Sequence, residues 1–139
     1  MAVNNPQVLL KEYTQVNAHG AAMEASPHRL VQMLMKGALD KIAAAKGHML
    51  RNEVREKGNQ IGVAISILDA LRASLDMERG GGLAERLAAL YEYMQMRLLQ
   101  ANLRNDTEGL DEVARLLGEV KSGWDALGQA AEPDRAVGA

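Results

Sequence analysis

Four stretches of the chain repeat their apolar residues at intervals of three and four, and each stretch is bounded by a cap or a breaker. That pattern, more than any composition figure, restricts what the chain can become. Ser26-Pro27 is a helix start: Ser caps free backbone N–H groups, and Pro fits the first helical position. From there Val31, Leu34, Met35, Ala38, Ile42, Ala45 and Met49 share one face. Asn52 is the candidate cap of a second helix, on which Ile61, Ala64, Ile65, Leu68, Leu71 and Leu75 form one stripe. DMERGGG ends it, because glycines favour a turn. A third helix runs from about Leu83 to Arg104. Asn105 or Asp106 caps a fourth, with Leu110, Val113, Leu117, Val120, Trp124 and Leu127 along a coiled-coil-like seam.

Short connections make successive helices antiparallel neighbours, so the expected fold is all-α, an antiparallel four-helix bundle. The bundle is expected over 26–128. Residues 1–25 read as a partly ordered N-terminal arm and 129–139 as a small, polar, flexible tail. The 139 residues suffice for one domain with a real core. Composition agrees: 47% of residues are hydrophobic but only 3% aromatic, and Phe is absent, which disfavours a β-sandwich. No strand pattern or internal repeat competes.

The third helix raises the functional question. On a helix turning about 100° per residue, Leu87, Leu90, Tyr91, Met94, Leu98 and Ala101 fall on one core-facing side. Met96, Leu99 and Leu103 fall on roughly the opposite side, with Ala88 beside them and Tyr93 between the two. The second helix repeats this weakly, with Val63, Ile67 and Ala70 away from its main stripe. Such second stripes admit three readings: a partner-binding surface, a surface covered by the arm or by a homodimer mate, or chance. Methionine favours a partner, because it repacks readily.

Other functions lose ground residue by residue. A net charge of −2 argues against nucleic-acid binding. The absence of Cys removes disulfides, thiolate metal sites and Cys nucleophiles. His19, His28 and His48 form no HExxH, and no Glu has a His three residues on, so neither a zinc nor a di-iron site is expected. RGGGLAER follows no strand and matches no phosphate-loop pattern. Glu108, Asp111, Glu112, Glu119 and Asp125 read as a solvated helix face. The chain is expected to be no enzyme and to carry no cofactor. Lys11 and Glu12 interrupt any N-terminal signal, and the run from Ile61 to Leu68 is too short to cross a bilayer; a cytoplasmic protein is expected.

The run LAALYEYMQMRLLQANLRND, followed by LDEVARLLGEVKSGW, resembles the second half of the flagellar export chaperone FliS family. ASPHRLVQMLMKGALDKIAAAKGHM, followed by AISILDALRASLD, resembles its first half. The match covers roughly residues 8 to 127, with LYxYMxxRLLQANLRND its most specific piece. The resemblance implies a four-helix bundle that binds the disordered C-terminal segment of flagellin in the cytoplasm. It implies that the protein keeps flagellin from polymerising early and delivers it to the flagellar type III export apparatus. It permits contacts with the export gate and with an anti-sigma regulator. On that reading Val63, Ile67, Tyr93, Met96, Leu99 and Leu103 are the flagellin contacts. Leu9, Leu10, Tyr13 and Val16 are lid residues of an arm that covers the surface. The spacing from Tyr13 to Ser26 is longer than in many members of the family. The competing expectation is a self-associating bundle, a homodimer without a flagellin client.

Overall fold

A computed structural model describes residues 26–138, with the side chains of 77–79 and 129–138 outside that description. Four helices follow one another: α1 (Pro27–Leu50), α2 (Val54–Ala73), α3 (Met77–Arg104) and α4 (Thr107–Gly138). Each packs against its neighbours in sequence, and α4 closes the ring against α1. That cyclic order is the up-down-up-down bundle. There is no strand among the described residues.

The local sequence explains each turn. Ser26 Oγ accepts the Arg29 backbone N–H at 3.1 Å, and Pro27 occupies the first turn, as expected. Asn52 does not cap α2. It takes a positive φ of 58°, and Glu53 stands at the N-cap position. A connection this short needs one left-handed residue, and Asn tolerates that conformation better than most. Asn105 repeats the device at φ 52° between α3 and α4. This leaves Asp106 to cap α4, its Oδ1 accepting the Glu108 N–H at 3.0 Å.

The glycine run behaves differently from the expected loop. Helical backbone already starts at Met77, and the break falls inside the run, at Gly81 with φ 53° and ψ −131°. Met77, Glu78 and Arg79 favour helix, whereas the Gly81 torsions suit glycine almost alone. At the other end, the helical backbone of α4 carries on past Gly128 to Gly138, where a flexible tail was expected. Gln129 to Glu132 are helix formers that give the backbone no reason to stop there. The arm, residues 1–25, lies outside the described residues.

The core joins all four helices. Leu34, Met35, Ile42, Ile61, Leu68, Leu71, Met94, Leu98, Leu110 and Leu117 are wholly buried. Burying one such side chain contributes roughly 1.5–3 kcal/mol. Gly109 lets the start of α4 approach α3: a Cβ there would lie 2.9 Å from the Ala101 Cβ and 2.7 Å from Arg97 Nη1. At the far end Trp124 ties α4 to α1. Its indole N–H donates to the His28 carbonyl at 3.0 Å, and its ring stacks on the His28 imidazole at 4.7 Å. Gly128 is required there, since a Cβ would meet His28 Nε2 at 2.1 Å. Leu127, expected on the seam, is exposed instead, because the seam closes on Trp124.

Lys57 is a buried charge with no carboxylate partner among its hydrogen bonds. Its Nζ donates to the Asn102 carbonyl at 3.0 Å and to Asn105 Oδ1 at 2.7 Å. The partial negative charge at the C-terminal end of α3 suits a cation at this point. The ammonium thereby pins α2 to the α3–α4 turn.

Candidate functional site: an unpartnered apolar face on α3

The bundle splits α3 into two apolar faces. Tyr91, Met94, Leu98 and Ala101 are buried, while Leu87 and Leu90 are partly buried against the core. On the outer side Met96 is 49% exposed, Leu99 52% and Leu103 77%, with Tyr93 at 37% beside them. The spacing 96, 99, 103 makes this one continuous ridge.

Polar networks border the ridge on both flanks. Toward α4, the Tyr93 hydroxyl donates to the Glu112 carboxylate, which also accepts from Arg97 Nε at 2.8 Å. Arg97 Nη2 reaches Asp106 at 3.1 Å. The Tyr93 bond and then the Arg97 bond lower the Glu112 pKa, and the Arg97 bond lowers that of Asp106. The bond to Glu112 raises the Tyr93 phenol. Toward α2, Arg72 pairs with Asp69 at 2.7 Å and with Glu92 at 2.8 Å, and Gln95 Nε2 donates to the Ile65 carbonyl at 3.0 Å. An exposed apolar strip with a polar rim is the usual form of a protein-interaction surface. It offers shape and apolar area, with no nucleophile or acid–base pair.

The two sites expected on α2 do not join this ridge. Ile67 is wholly buried and belongs to the core, which corrects its placement on an exposed stripe. Ala70 is buried as well. The reason is that α2 is packed between α1 and α3 and hides close to half its circumference, more than the narrow stripe its strongest apolar residues suggest. Val63 is 37% exposed. It lies nearly half a turn around α2 from the flank where Arg72 and Lys57 reach α3, so it is separate from the α3 ridge.

An apolar cleft at the α2–α3 turn was not anticipated. It holds about 270 Å³ and is lined by residues such as Val31, Leu75, Leu83, Leu87, Val120 and Trp124. A neighbouring hollow of about 330 Å³ shares Val31, Ser74 and Trp124 and reaches Pro27 and His28. Tyr91 lines the first, and burial pushes its phenol up to about 12. The one sequence signal for the cleft was the glycine run, which supplies no side chains to fill this end of the bundle.

His48, Glu53 and Glu56 bring three donor atoms within 4.8 Å of one another. Arg51 already lies among them, its Nε 2.9 Å from Glu53 Oε1, so the cluster is an ion-pair network closing the α1–α2 turn. No helix among the described residues is long and apolar enough to cross a membrane.

Fold and surface together define a four-helix bundle with an exposed, polar-rimmed apolar ridge on α3. The comparisons with known proteins make the class specific. The family model described as flagellar protein FliS matches residues 9–131. Over 118 residues the chain is 53% identical to the flagellar secretion chaperone FliSB of Pseudomonas aeruginosa, covering 85% of this chain and 94% of that one. It is 44% identical over 116 residues to the flagellar secretion chaperone FliS of Salmonella typhimurium, covering 83% and 86%. The corresponding Bacillus subtilis chaperone is 30% identical over 135 residues, covering 97% and 95%. The chain belongs to the FliS family of flagellar secretion chaperones.

Proposed function

We propose that this chain is a cytoplasmic export chaperone that binds the disordered C-terminal segment of flagellin. It keeps that segment from polymerising early and supports its delivery to the flagellar type III export apparatus. The observation that carries this reading is the polar-rimmed apolar ridge of α3 in a chain of this family. A disordered client gains helical structure as it docks, presenting apolar residues at i, i+3 and i+4 to a matching groove. Ordering it costs free energy, which an aliphatic surface offsets by burial. Met96, Leu99 and Leu103 are the contacts, and Tyr93, held by Glu112, is the edge. Val63 is a separate, outlying contact.

The arm is the lid. Its residues Leu9, Leu10, Tyr13 and Val16 are those that the family resemblance assigns to covering the apolar surface. Contacts with the export gate and an anti-sigma regulator rest on the family resemblance.

The test is Leu99→Asp, read by circular dichroism and by titration with a synthetic peptide of the flagellin C-terminal segment. Retained helicity with at least a ten-fold loss of affinity is expected, since an unpaired charge is buried on docking. Unchanged affinity removes Leu99 from the contact surface. A stable dimer that buries Leu99 and ignores the peptide would replace this reading with the self-associating bundle.

A further inference from the structure

We propose that Met96 is a redox-sensitive modification site, at which oxidation of the thioether to the sulfoxide releases the client. The proposal rests on the docking role of the α3 ridge argued above. Among the described methionines Met96 stands apart: it is 49% exposed, whereas Met35, Met49 and Met94 are 1%, 5% and 0% exposed. Met33 is partly buried. The chain contains no cysteine, so no thiol of its own competes for an oxidant. Among the described residues Met96 is therefore the most accessible thioether, and it sits on the ridge three residues after Tyr93 and three before Leu99.

The chemistry needs a peroxide. The Met96 sulfur attacks one peroxide oxygen, the O–O bond breaks and an S–O bond forms. The transferred oxygen loses its proton to the departing hydroxide, which leaves as water. Sulfur is oxidised by two electrons and the peroxide is reduced by two. Two thiols reverse the change, giving the thioether, a disulfide and water, the reaction that sulfoxide reductases catalyse. The product is a polar S=O group within an apolar contact, where docking strips it of water without supplying a donor. Met94, two residues away, points into the core, so the bundle itself is left intact.

The full chain is treated with graded hydrogen peroxide. Sites are mapped by peptide mass spectrometry, the fold is followed by circular dichroism, and the flagellin C-terminal peptide is titrated by fluorescence anisotropy. Met96 oxidises first, before Met35, Met49 and Met94, with no loss of helicity. The affinity of the oxidised chain falls about ten-fold relative to the same chain untreated. In Met96→Leu the ratio of treated to untreated affinity stays near one, whatever its starting value. Prior oxidation of a buried methionine overturns the proposal, as does equal sensitivity in Met96→Leu. Binding that is present before peroxide and unchanged after it overturns the redox site alone. Absence of binding before peroxide overturns the flagellin assignment on which it rests.

Discussion

Two glycine-to-alanine changes should move stability in opposite directions. Gly62 lies within α2 at an ordinary φ, and a Cβ built on it meets nothing within 4 Å. Alanine there restricts the unfolded chain and loses nothing in the folded one, a gain of about 1 kcal/mol. Gly109 lies in the first turn of α4, where propensity counts for less. Its Cβ would stand 2.9 Å from the Ala101 Cβ. That methyl is fixed to the α3 backbone and cannot swing away as a long side chain could. The new Cβ would also press on Arg97, which is engaged with Glu112 and Asp106. Either α4 lifts off α3 or the Arg97 network breaks, and overpacking of this kind costs about 1–3 kcal/mol. Urea denaturation, followed by helicity and by the fluorescence of the single Trp124, measures both. In thermal scans Gly62→Ala should gain about 3 °C and Gly109→Ala should lose at least as much. Shifts of the same sign and size in the two variants would refute the close α3–α4 approach.

Other consequences can be measured on the same protein. Leu68→Ala should cost about 2–5 kcal/mol in urea unfolding, because Leu68 is wholly buried in the core that the four helices share. Lys57→Met should cost about 1–2 kcal/mol by removing the donor to Asn102 and Asn105; a stabilised variant would show that desolvating the ammonium outweighs its bonds. Ile67→Asp should unfold the bundle while Leu103→Asp leaves its helicity intact, a contrast that circular dichroism reads directly. Asp106 is held below its ordinary pKa by Arg97, Glu112 by Tyr93 and Arg97, and Asp125 by Lys121. The unfolded chain therefore binds protons more readily than the native one. Stability should be full above the ordinary carboxylate range near pH 4 and fall as pH drops through the lowered native values, seen as a declining urea midpoint. Asp106→Asn should flatten that decline.

Helix number, order and most of the core follow from local periodicity, because a 3.6-residue repeat is a property of the chain alone. Leu34, Ile42, Leu68, Leu98 and Leu117 are buried where their stripes placed them. The split of α3 into an inner and an outer face was equally legible, since a wheel records angle. It does not record how wide an arc each neighbour covers. Ile67 was misplaced for that reason: it sits at the margin of the α2 stripe, and only the closeness of the packing decides whether a margin is wet. Val63 shows the same limit, for nothing in the sequence of α2 says which flank α3 occupies. Asn52 was misjudged because capping and left-handed turning use the same residue type, and the tightness of the turn selects between them.

The sequence by itself determined an all-α bundle, its cap at Ser26, its closing Trp124, and the family through LYEYMQMRLLQANLRND. Tertiary structure decided what depends on distances between helices. It turned Gly109 and Gly128 into points of close approach, buried Lys57 against the end of α3, and opened an apolar cleft beside Gly80. It also left Met96, Leu99 and Leu103 as one rimmed ridge. Apolar patterning can say that a side chain seeks cover; whether the bundle supplies that cover depends on how closely and at what angle its neighbours pack.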